Sequence, residues 1–248
     1  MIRLTDVHKS FGRQHVLKGV NLEIPDRSIF IVIGGSGTGK SVLLKHLIGL
    51  LQPDQGEIWV DDQEISALRG RALNKVRNRF AMLFQGGAMF DSLSVYDNVA
   101  FPLREKTRLS EDVIRQKVEE RLEQVGLPEV NDKFPSELSG GMLKRAALAR
   151  ALVSDPEILL FDEPTTGLDP IRVNTIHQLI RDLHQLLNFT AVIVSHEIPE
   201  VFSLATHIAM LYQGSVLATG TPEEIQTSSD PVIQQFINGR TEGPIEVQ

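Results

Sequence analysis

The chain has 248 residues, of which 42% are hydrophobic and 23% charged, and this composition is typical of a globular fold rather than of a disordered chain. The absence of cysteine excludes disulfides, thiol catalysis and zinc–thiolate sites. A formal net charge of -7 argues against a nucleic-acid-binding protein, whose affinity would depend on basic contacts to phosphates.

Two features of the sequence bear on membranes. The first residues, MIRLTDVHKSFG, lack the apolar core of a secretory leader. The most apolar runs, SIFIVIGG and SVLLKHLIGLL, are shorter than the ~20 residues that a helix needs to cross a bilayer. We therefore expect a protein that is soluble or peripherally attached to a membrane.

The predicted strands are of two kinds. Near the start of the chain, IRLTDVHKSFG, HVLKGVNLEI and GEIWVDDQEI alternate apolar and polar residues, which predicts antiparallel strands. Five later runs are almost entirely apolar, which is typical of parallel strands buried on both faces. These runs are Ile29–Ile33, Phe80–Phe84, Glu157–Phe161, Ala191–Ser195 and His207–Leu211.

Helical patterns occupy the segments between these runs. In residues of about 95–150, Ser110 is a candidate N-cap, and a helix following it should end at Gly126. Between the third and fourth runs, six apolar residues form one helical stripe: Ile176, Leu179, Ile180, Leu183, Leu186 and Leu187. The sequence thus predicts an α/β core with an inserted helical subdomain.

The segment GGSGTGKS follows a predicted strand and precedes the helical run VLLKHLIGLL. Its glycines allow backbone N–H groups to point at a polyphosphate, while Lys40 would reach the terminal phosphates and Ser41 would bind Mg²⁺. A chance match to a glycine-rich turn is the alternative, but the flanking strand and helix are those that the mechanism requires. We expect nucleotide contacts from Gly34, Gly35, Ser36, Gly37, Thr38, Gly39, Lys40, Ser41 and Val42.

A second candidate element is ILLFDEP, a buried strand that ends in two carboxylates. Open α/β sheets bind ligands at the carboxyl ends of their strands. Asp162 would hold Mg²⁺ through water, and Glu163 would act as the general base for the attacking water. A strand end capped by solvated acids is the alternative interpretation.

A third element is ELSGGMLKRAALARAL, in which a hydroxyl and two glycines precede a strong helix-forming run. Such a helix N-terminus is a second potential anion site. The question is why one chain should carry two phosphate-binding segments.

The phosphate loop, LSGGM and FDEPTTGLD, in this order, resemble the motifs of the ATP-binding cassette (ABC) ATPases, and the resemblance covers essentially the whole chain. It implies an α/β fold with a RecA-like, mostly parallel core sheet, an N-terminal antiparallel β subdomain and an inserted helical signature subdomain. It further implies a single domain over residues 1–248, with core and β subdomain at about 1–90 and 153–225. The helical subdomain would span about 91–152, and a C-terminal helix and tail about 226–248.

The resemblance also answers the question of the two phosphate-binding segments. In ABC ATPases each ATP lies between the phosphate loop of one subunit and the signature motif of the other, so a homodimer is expected. The matching signature positions are Ser139, Gly140 and Gly141, with Met142 in place of the more common glutamine.

Four further positions match family residues. Gln85 would sense Mg²⁺ and the attacking water, and His196 would contact the γ-phosphate. Asp169 would lie in the loop that crosses between subunits. Phe11 would stack on adenine, although a core aromatic is the alternative.

The stretch GGAMFDSLSVYDNVAFPLREKTRLS and the ending QQFINGRTEGPIEV resemble the ATPase subunit of the Mla-type phospholipid transporters. This implies a membrane permease like MlaE, an MCE lipid-binding protein like MlaD and, as an optional partner, a small STAS-domain subunit like MlaB. It also implies a location at the cytoplasmic face of the bacterial inner membrane. An importer ATPase for amino acids or other polar solutes is the alternative.

Two segments outside the ATP motifs have open interpretations. Met89, Phe90 and Leu93 would either line the groove for the permease's coupling helix or belong to the core of the helical subdomain. The tail from about Gly239, with Pro244 and Ile245 as its apolar pair, would either contact the sister subunit or be a frayed terminus.

Overall fold

The structure is a computed structural model that describes residues 1–246. The chain divides into two compact units. The first unit comprises Met1–Asn78 and Thr190–Gln248, and the second comprises Arg79–Phe189. The division predicted from the sequence, with a helical subdomain at about 91–152, stays a prediction.

The strands are β1 Ile2–Phe11, β2 Gln14–Ile24, β3 Ile29–Ile33, β4 Gln55–Val60, β5 Gln63–Glu64, β6 Phe80–Leu83, β7 Ile158–Asp162, β8 Thr190–Ser195, β9 His207–Tyr212 and β10 Ser215–Gly220. The α-helices are α1 Lys40–Leu47, α2 Gly70–Arg77, α3 Val95–Lys106, α4 Glu111–Gln124, α5 Gly140–Leu152, α6 Pro170–Leu187, α7 Glu200–Leu204, α8 Pro222–Gln226 and α9 Pro231–Ile237. A 3₁₀ turn covers Pro135–Glu137.

The first unit contains one antiparallel sheet and one mixed sheet. The antiparallel sheet has the order β2-β1-β4-β5, as the alternating N-terminal runs predict. In the mixed sheet, β3 is parallel to both β8 and β9, and β10 is antiparallel to β9. Every residue of β3 and β8 is buried, which fits parallel strands covered on both faces.

The second unit pairs β6 with β7 in parallel and contains helices α3 to α6. In α4, the apolar stripe of Ile114, Val118 and Leu122 is buried, as its helical spacing predicts. Ser110 is the N-cap residue, but its side chain accepts no capping hydrogen bond.

The prediction for the stripe on α6 was wrong at one position. Ile176, Ile180 and Leu183 are buried, whereas Leu186 is 62% exposed. Leu186 lies in the last turn, two residues before the left-handed Asn188 that ends α6, so the buried stripe stops short of the C-terminus of the helix.

Several predicted boundaries also move, and most of the strand ends do so by a single residue. Strand β7 starts and ends one residue later than predicted and includes Asp162. Helix α1 ends at Leu47 rather than continuing through the apolar run, and Gly49 just beyond it has a φ of 68°. A Cβ on Gly49 would lie 2.9 Å from the Leu73 side chain, so glycine there permits close packing of α2.

None of the helices within residues 1–246 is both long enough and apolar enough to cross a bilayer.

Candidate nucleotide site

The phosphate loop of the first unit is held together by the side chain of Lys40. Its Nζ donates to the backbone oxygens of Gly34, at 2.8 Å, and Gly35, at 2.9 Å. Thr38 Oγ1 also donates to the Gly35 oxygen, at 2.9 Å. Lys40 is only 6% exposed, so its ammonium group lies inside the curve of the loop, where the terminal phosphates of a nucleotide would bind.

Two glycines of this loop are required by their surroundings. A Cβ on Gly34 would lie 2.3 Å from the backbone oxygen of Leu211. Gly39, the N-cap of α1, has a φ of 104°, and a Cβ there would lie 3.0 Å from Leu17. Both positions therefore need glycine for the loop to fold, whatever it binds.

His196 leaves the sheet beside the phosphate loop. Ile33, the last residue of β3, is paired in register with Ser195, the last residue of β8. Gly34 and His196 follow these paired residues, so parallel pairing brings both to the same edge. His196 is exposed.

Phe11 is the last residue of β1 and is 46% exposed, with Lys9 Nζ 5.7 Å from the centre of its ring. Its exposure leaves a ring face available for stacking. The alternative interpretation, a core aromatic, does not fit this exposure.

In the second unit, parallel pairing likewise brings two predicted site residues together. Leu83 of β6 is in register with Phe161 of β7, and Gln85 and Glu163 each lie two residues beyond that pair. Gln85 Nε2 donates to Glu163 Oε2 at 3.2 Å. Thr166 Oγ1 donates to the same carboxylate oxygen at 3.1 Å.

The backbone at Glu163 has a φ of 49°, an uncommon value for a residue other than glycine. The preceding residue, Asp162, ends β7 and is half-buried. Two successive carboxylates therefore lie at the end of a buried strand, and the hydrogen bonds from Gln85 and Thr166 hold that of Glu163.

The predicted magnesium ligands, Ser41, Gln85 and Asp162, supply only oxygen donors, the type that Mg²⁺ prefers. Within residues 1–246, no group of three or more His, Asp or Glu side chains could hold a metal by itself.

The signature segment forms the start of α5 in the second unit. Ser139 is the N-cap, and its Oγ accepts from the backbone N–H of Met142 at 3.3 Å. Gly140 and Gly141 have open space within 4 Å of where a Cβ would be. Nothing in the described chain requires these two glycines, unlike Gly34 and Gly39 of the phosphate loop.

Asp169 is the N-cap of α6. Its carboxylate accepts from the backbone N–H of Arg172 at 3.1 Å and pairs with Arg172 Nε at 3.2 Å. The structure thus gives Asp169 a helix-capping role; its predicted contact across a subunit interface stays a prediction.

Sequence reasoning missed two cations on α5. Lys144 Nζ donates to the Gln85 backbone oxygen at 2.6 Å, and the Arg150 guanidinium donates to the oxygens of Ala88, at 2.7 Å, and Gly87, at 3.0 Å. Burial lowers the pKa of Arg150. In the sequence, only the position of Lys144 and Arg150 on a helix with few other charges indicated such contacts.

The tail returns to the first unit. The Gln235 side chain, which is 4% exposed, accepts from the Ile245 N–H at 2.7 Å and donates to the Ile245 oxygen at 3.0 Å. Pro244 and Ile245 line a cavity of about 540 Å³ together with Ser36, Gly37 and Thr38. Through Ile245 the tail is therefore held in place rather than frayed; Val247 and Gln248 lie outside the described residues.

The chain is similar to known proteins in sequence and in fold. The ABC transporter family matches residues 17–166. The Haemophilus influenzae "Intermembrane phospholipid transport system ATP-binding protein MlaF" is 46% identical over 234 residues, covering 94% of this chain and 89% of that protein. The Mycobacterium leprae "Probable ribonucleotide transport ATP-binding protein mkl" is 46% identical over 244 residues, covering 98% and 70%.

A solved structure shares the fold. The dimeric post-hydrolysis state of the ATP-binding cassette MJ0796, bound to ADP and Pi, superposes with a TM-score of 0.81 at 32% identity. The match covers 90% of this chain and 99% of that one.

Proposed function

Because this chain belongs to the ABC transporter family, we propose that it is the ATPase subunit that drives a phospholipid-moving permease. The chain is an ATP-binding cassette with ATPase activity coupled to transport. Its substrate, its partners and the roles of its individual residues are the subject of the proposal.

The hydrogen bond between Gln85 and Glu163 is the observation that supports the catalytic roles. Glu163 would take a proton from the attacking water, and Gln85 would hold both the carboxylate and that water. Such positioning matters because in phosphoryl transfer the protein contributes mainly orientation and electrostatic stabilisation.

The phosphate loop would bind the nucleotide. Lys40 would exchange its contacts with the carbonyls of Gly34 and Gly35 for the terminal phosphates. His196, which leaves the same edge of the sheet as Gly34, would contact the γ-phosphate, and Phe11 would stack on adenine.

Ser41, Asp162 and Gln85 would hold Mg²⁺, which when bound neutralises charge on the phosphates.

The open space around the Ser139–Gly141 segment supports a site shared between two copies of the chain. Gly140 and Gly141 face open space, so a sister subunit's nucleotide could approach their backbone without steric hindrance. The neighbour MJ0796 is described as dimeric and bound to ADP and Pi. We therefore propose a homodimer in which each ATP contacts one phosphate loop and the other subunit's Ser139–Gly141 segment.

Phospholipid is the proposed transported substrate. The support is the identity of 46% with the Haemophilus protein, across 89% of that protein's length. The expected partners are a permease like MlaE, an MCE protein like MlaD and a STAS subunit like MlaB, with this chain at the cytoplasmic face of the inner membrane. Exposed Phe90, whose ring centre is 4.9 Å from that of Phe101, would belong to the permease-docking groove.

A polar solute is the second candidate substrate. The Mycobacterium leprae relative, equally identical at 46%, is named for ribonucleotide transport. Nothing in the ATP site separates the two candidates, because an ATPase subunit contacts its permease rather than the transported molecule.

The test is reconstitution of the complex that copurifies with the tagged chain. Proteoliposomes would be assayed for ATP-dependent transfer of fluorescent phospholipid and, in parallel, for uptake of labelled ribonucleotide and amino acids. We expect phospholipid transfer that Glu163→Gln abolishes. ATP-dependent uptake of a polar solute without lipid transfer would establish the second candidate.

A further inference from the structure

The loop after β6 lies along one flank of the signature helix α5. Lys144, Ala147 and Arg150 are spaced three residues apart, so each is a neighbour of the next on the helix surface, and all three contact this loop or lie close to it. A Cβ on Gly87, whose φ is 76°, would lie 3.2 Å from the Ala147 Cβ. Glycine at this position therefore lets the loop come close to the helix.

Both cations on this flank donate to the loop's main chain. Arg150 donates to the oxygens of Gly87 and Ala88, and Lys144 donates to the oxygen of Gln85 at 2.6 Å. Arg150 contacts residues that do no proposed chemistry, so its role is to hold the loop. Lys144 differs because it contacts the residue whose side chain reaches Glu163.

Two hydrogen bonds, joined through Gln85, thus connect α5 to the proposed general base. Lys144 holds the Gln85 backbone, and the Gln85 amide donates to Glu163 Oε2 at 3.2 Å. The Lys144 contact spans 59 positions of sequence and is a charge-assisted bond, which is stronger than a neutral one.

We propose that Lys144 is a positioning residue that sets the place of Gln85 and, through it, of the Glu163 carboxylate. The inference rests on the proposed function, because it needs Glu163 to act on the attacking water. Since α5 begins with the Ser139–Gly141 segment, Lys144 also joins one ATP site to the other. A shift of α5 when the sister subunit's nucleotide binds would move Gln85 in the same chain.

The first experiment compares steady-state ATP hydrolysis by the assembled transporter carrying Lys144→Met, Lys144→Arg or Lys106→Met. Methionine keeps the length and helix propensity of lysine but removes the donor, whereas arginine keeps a donor. Lys106 is an exposed lysine of α3 in the same unit and serves as the matched control.

We expect Lys144→Met to lower kcat roughly tenfold and to leave KM for ATP within about twofold, since a misplaced catalytic group slows chemistry without weakening binding. Lys144→Arg should recover most of kcat, and Lys106→Met should match the native protein. A native kcat in Lys144→Met, a rise in KM alone, or an equal loss in Lys144→Arg would overturn the inference.

Glu163→Gln, measured in the same assay, separates this inference from the proposed function. If Glu163→Gln keeps its turnover, the proposed general base is wrong. If Glu163→Gln is inactive and Lys144→Met is native, only the role of Lys144 fails.

A mixed dimer tests whether Lys144 acts on the ATP site that contains Glu163 of its own chain. With Lys40→Ala in one subunit, the remaining intact site takes Glu163 from the other subunit and the signature segment from the Lys40→Ala subunit. Lys144→Met in the subunit that supplies Glu163 should lower the residual turnover roughly tenfold. The same change in the signature-supplying subunit should leave it within about twofold, and the reverse pattern would contradict the proposal.

Discussion

Gly34 and Gly140 both lie in segments that we propose bind phosphates of ATP, yet their surroundings differ. Gly34 is fixed by the chain itself, because a Cβ there would lie 2.3 Å from the Leu211 oxygen and because its own oxygen accepts from Lys40. Gly140 has open space around it. The phosphate loop is thus built by contacts within its own unit, whereas the signature start has no partner within the described chain that explains its glycines.

The different surroundings of Gly34 and Gly140 indicate that glycine is present at the two positions for different reasons. At position 34 glycine serves folding and binding together, so the loop is preorganised before any nucleotide arrives. At position 140 no contact within residues 1–246 requires glycine, and the open space there leaves room for the ligand that we propose a second copy holds. We therefore expect substitutions in the two regions to affect different properties: nucleotide binding and folding at the phosphate loop, and turnover in the second unit.

The largest expected effect is on turnover, in the second unit. Glu163→Gln should lower kcat by roughly 10²–10⁴, the usual contribution of a positioned general base, and leave ATP binding intact. Phosphate release by the assembled transporter and equilibrium nucleotide binding measure the two quantities.

Glu119→Gln, the same substitution at an exposed position of α4, is the control and should be silent. Undiminished hydrolysis by Glu163→Gln would remove the assignment of the general base.

The next effect is on nucleotide affinity, in the first unit. Lys40→Ala should weaken ATP binding roughly 10- to 100-fold, because a charge-assisted bond to phosphate is worth about 1.5–3 kcal/mol. Calorimetry on the purified chain measures the affinity.

Lys45→Ala, at an exposed position of the same helix α1, should bind like the native protein. Native affinity in Lys40→Ala would show that the loop holds phosphate by its backbone alone.

A matched pair of glycine substitutions tests whether the fold requires glycine at position 34 but not at position 140. Gly34→Ala should destabilise the fold by about 2–3 kcal/mol, because its Cβ meets a backbone oxygen, and should lower Tm by roughly 4–12 °C. Gly140→Ala should change stability by less than about 0.5 kcal/mol, since its Cβ meets nothing.

Thermal unfolding of both variants by circular dichroism gives the two values of Tm. Equal destabilisation by the two substitutions would contradict the distinction between a segment fixed by its own chain and an open one.

The smallest expected effect concerns the tail. Truncation after Asn238 removes the segment that Gln235 holds through Ile245, and we expect weaker dimer or transporter assembly with ATP affinity within about twofold of native. Size-exclusion chromatography coupled to light scattering would report assembly.

A marked loss of ATP affinity on truncation would show instead that the tail supports the phosphate loop, since Ile245 and Ser36 line the same cavity.

Much of the candidate site could be predicted because its signals are local. The strands at Ile29–Ile33 and Thr190–Ser195 are marked by continuous apolar runs, and the phosphate loop by glycines at fixed spacing between strand and helix. Parallel pairing then brings the residues that follow the strands to one edge, as it does for Gln85 and Glu163.

The contacts that position these residues could not be predicted in the same way. Lys144 reaches a main-chain oxygen 59 positions away, and a lysine on a helix gives the same pattern whether it is solvated or bound. The hydrogen bonds between the Gln235 side chain and the Ile245 backbone could not be predicted either, because a glutamine inside a short helix gives no periodic signal. Leu186 illustrates the converse, since an apolar residue at helical spacing lies exposed.

We propose that each ATP is bound by the phosphate loop of one subunit and by the Ser139–Gly141 segment of the other. Its most direct test mixes a Lys40→Ala subunit with a Ser139→Arg subunit, in which the arginine fills the open signature start. Each homodimer has two damaged sites, whereas the mixed dimer gathers both lesions into one site and leaves the other whole. We predict that nucleotide-dependent dimerisation, absent in either variant alone, returns on mixing; its continued absence in the mixture would contradict the shared site.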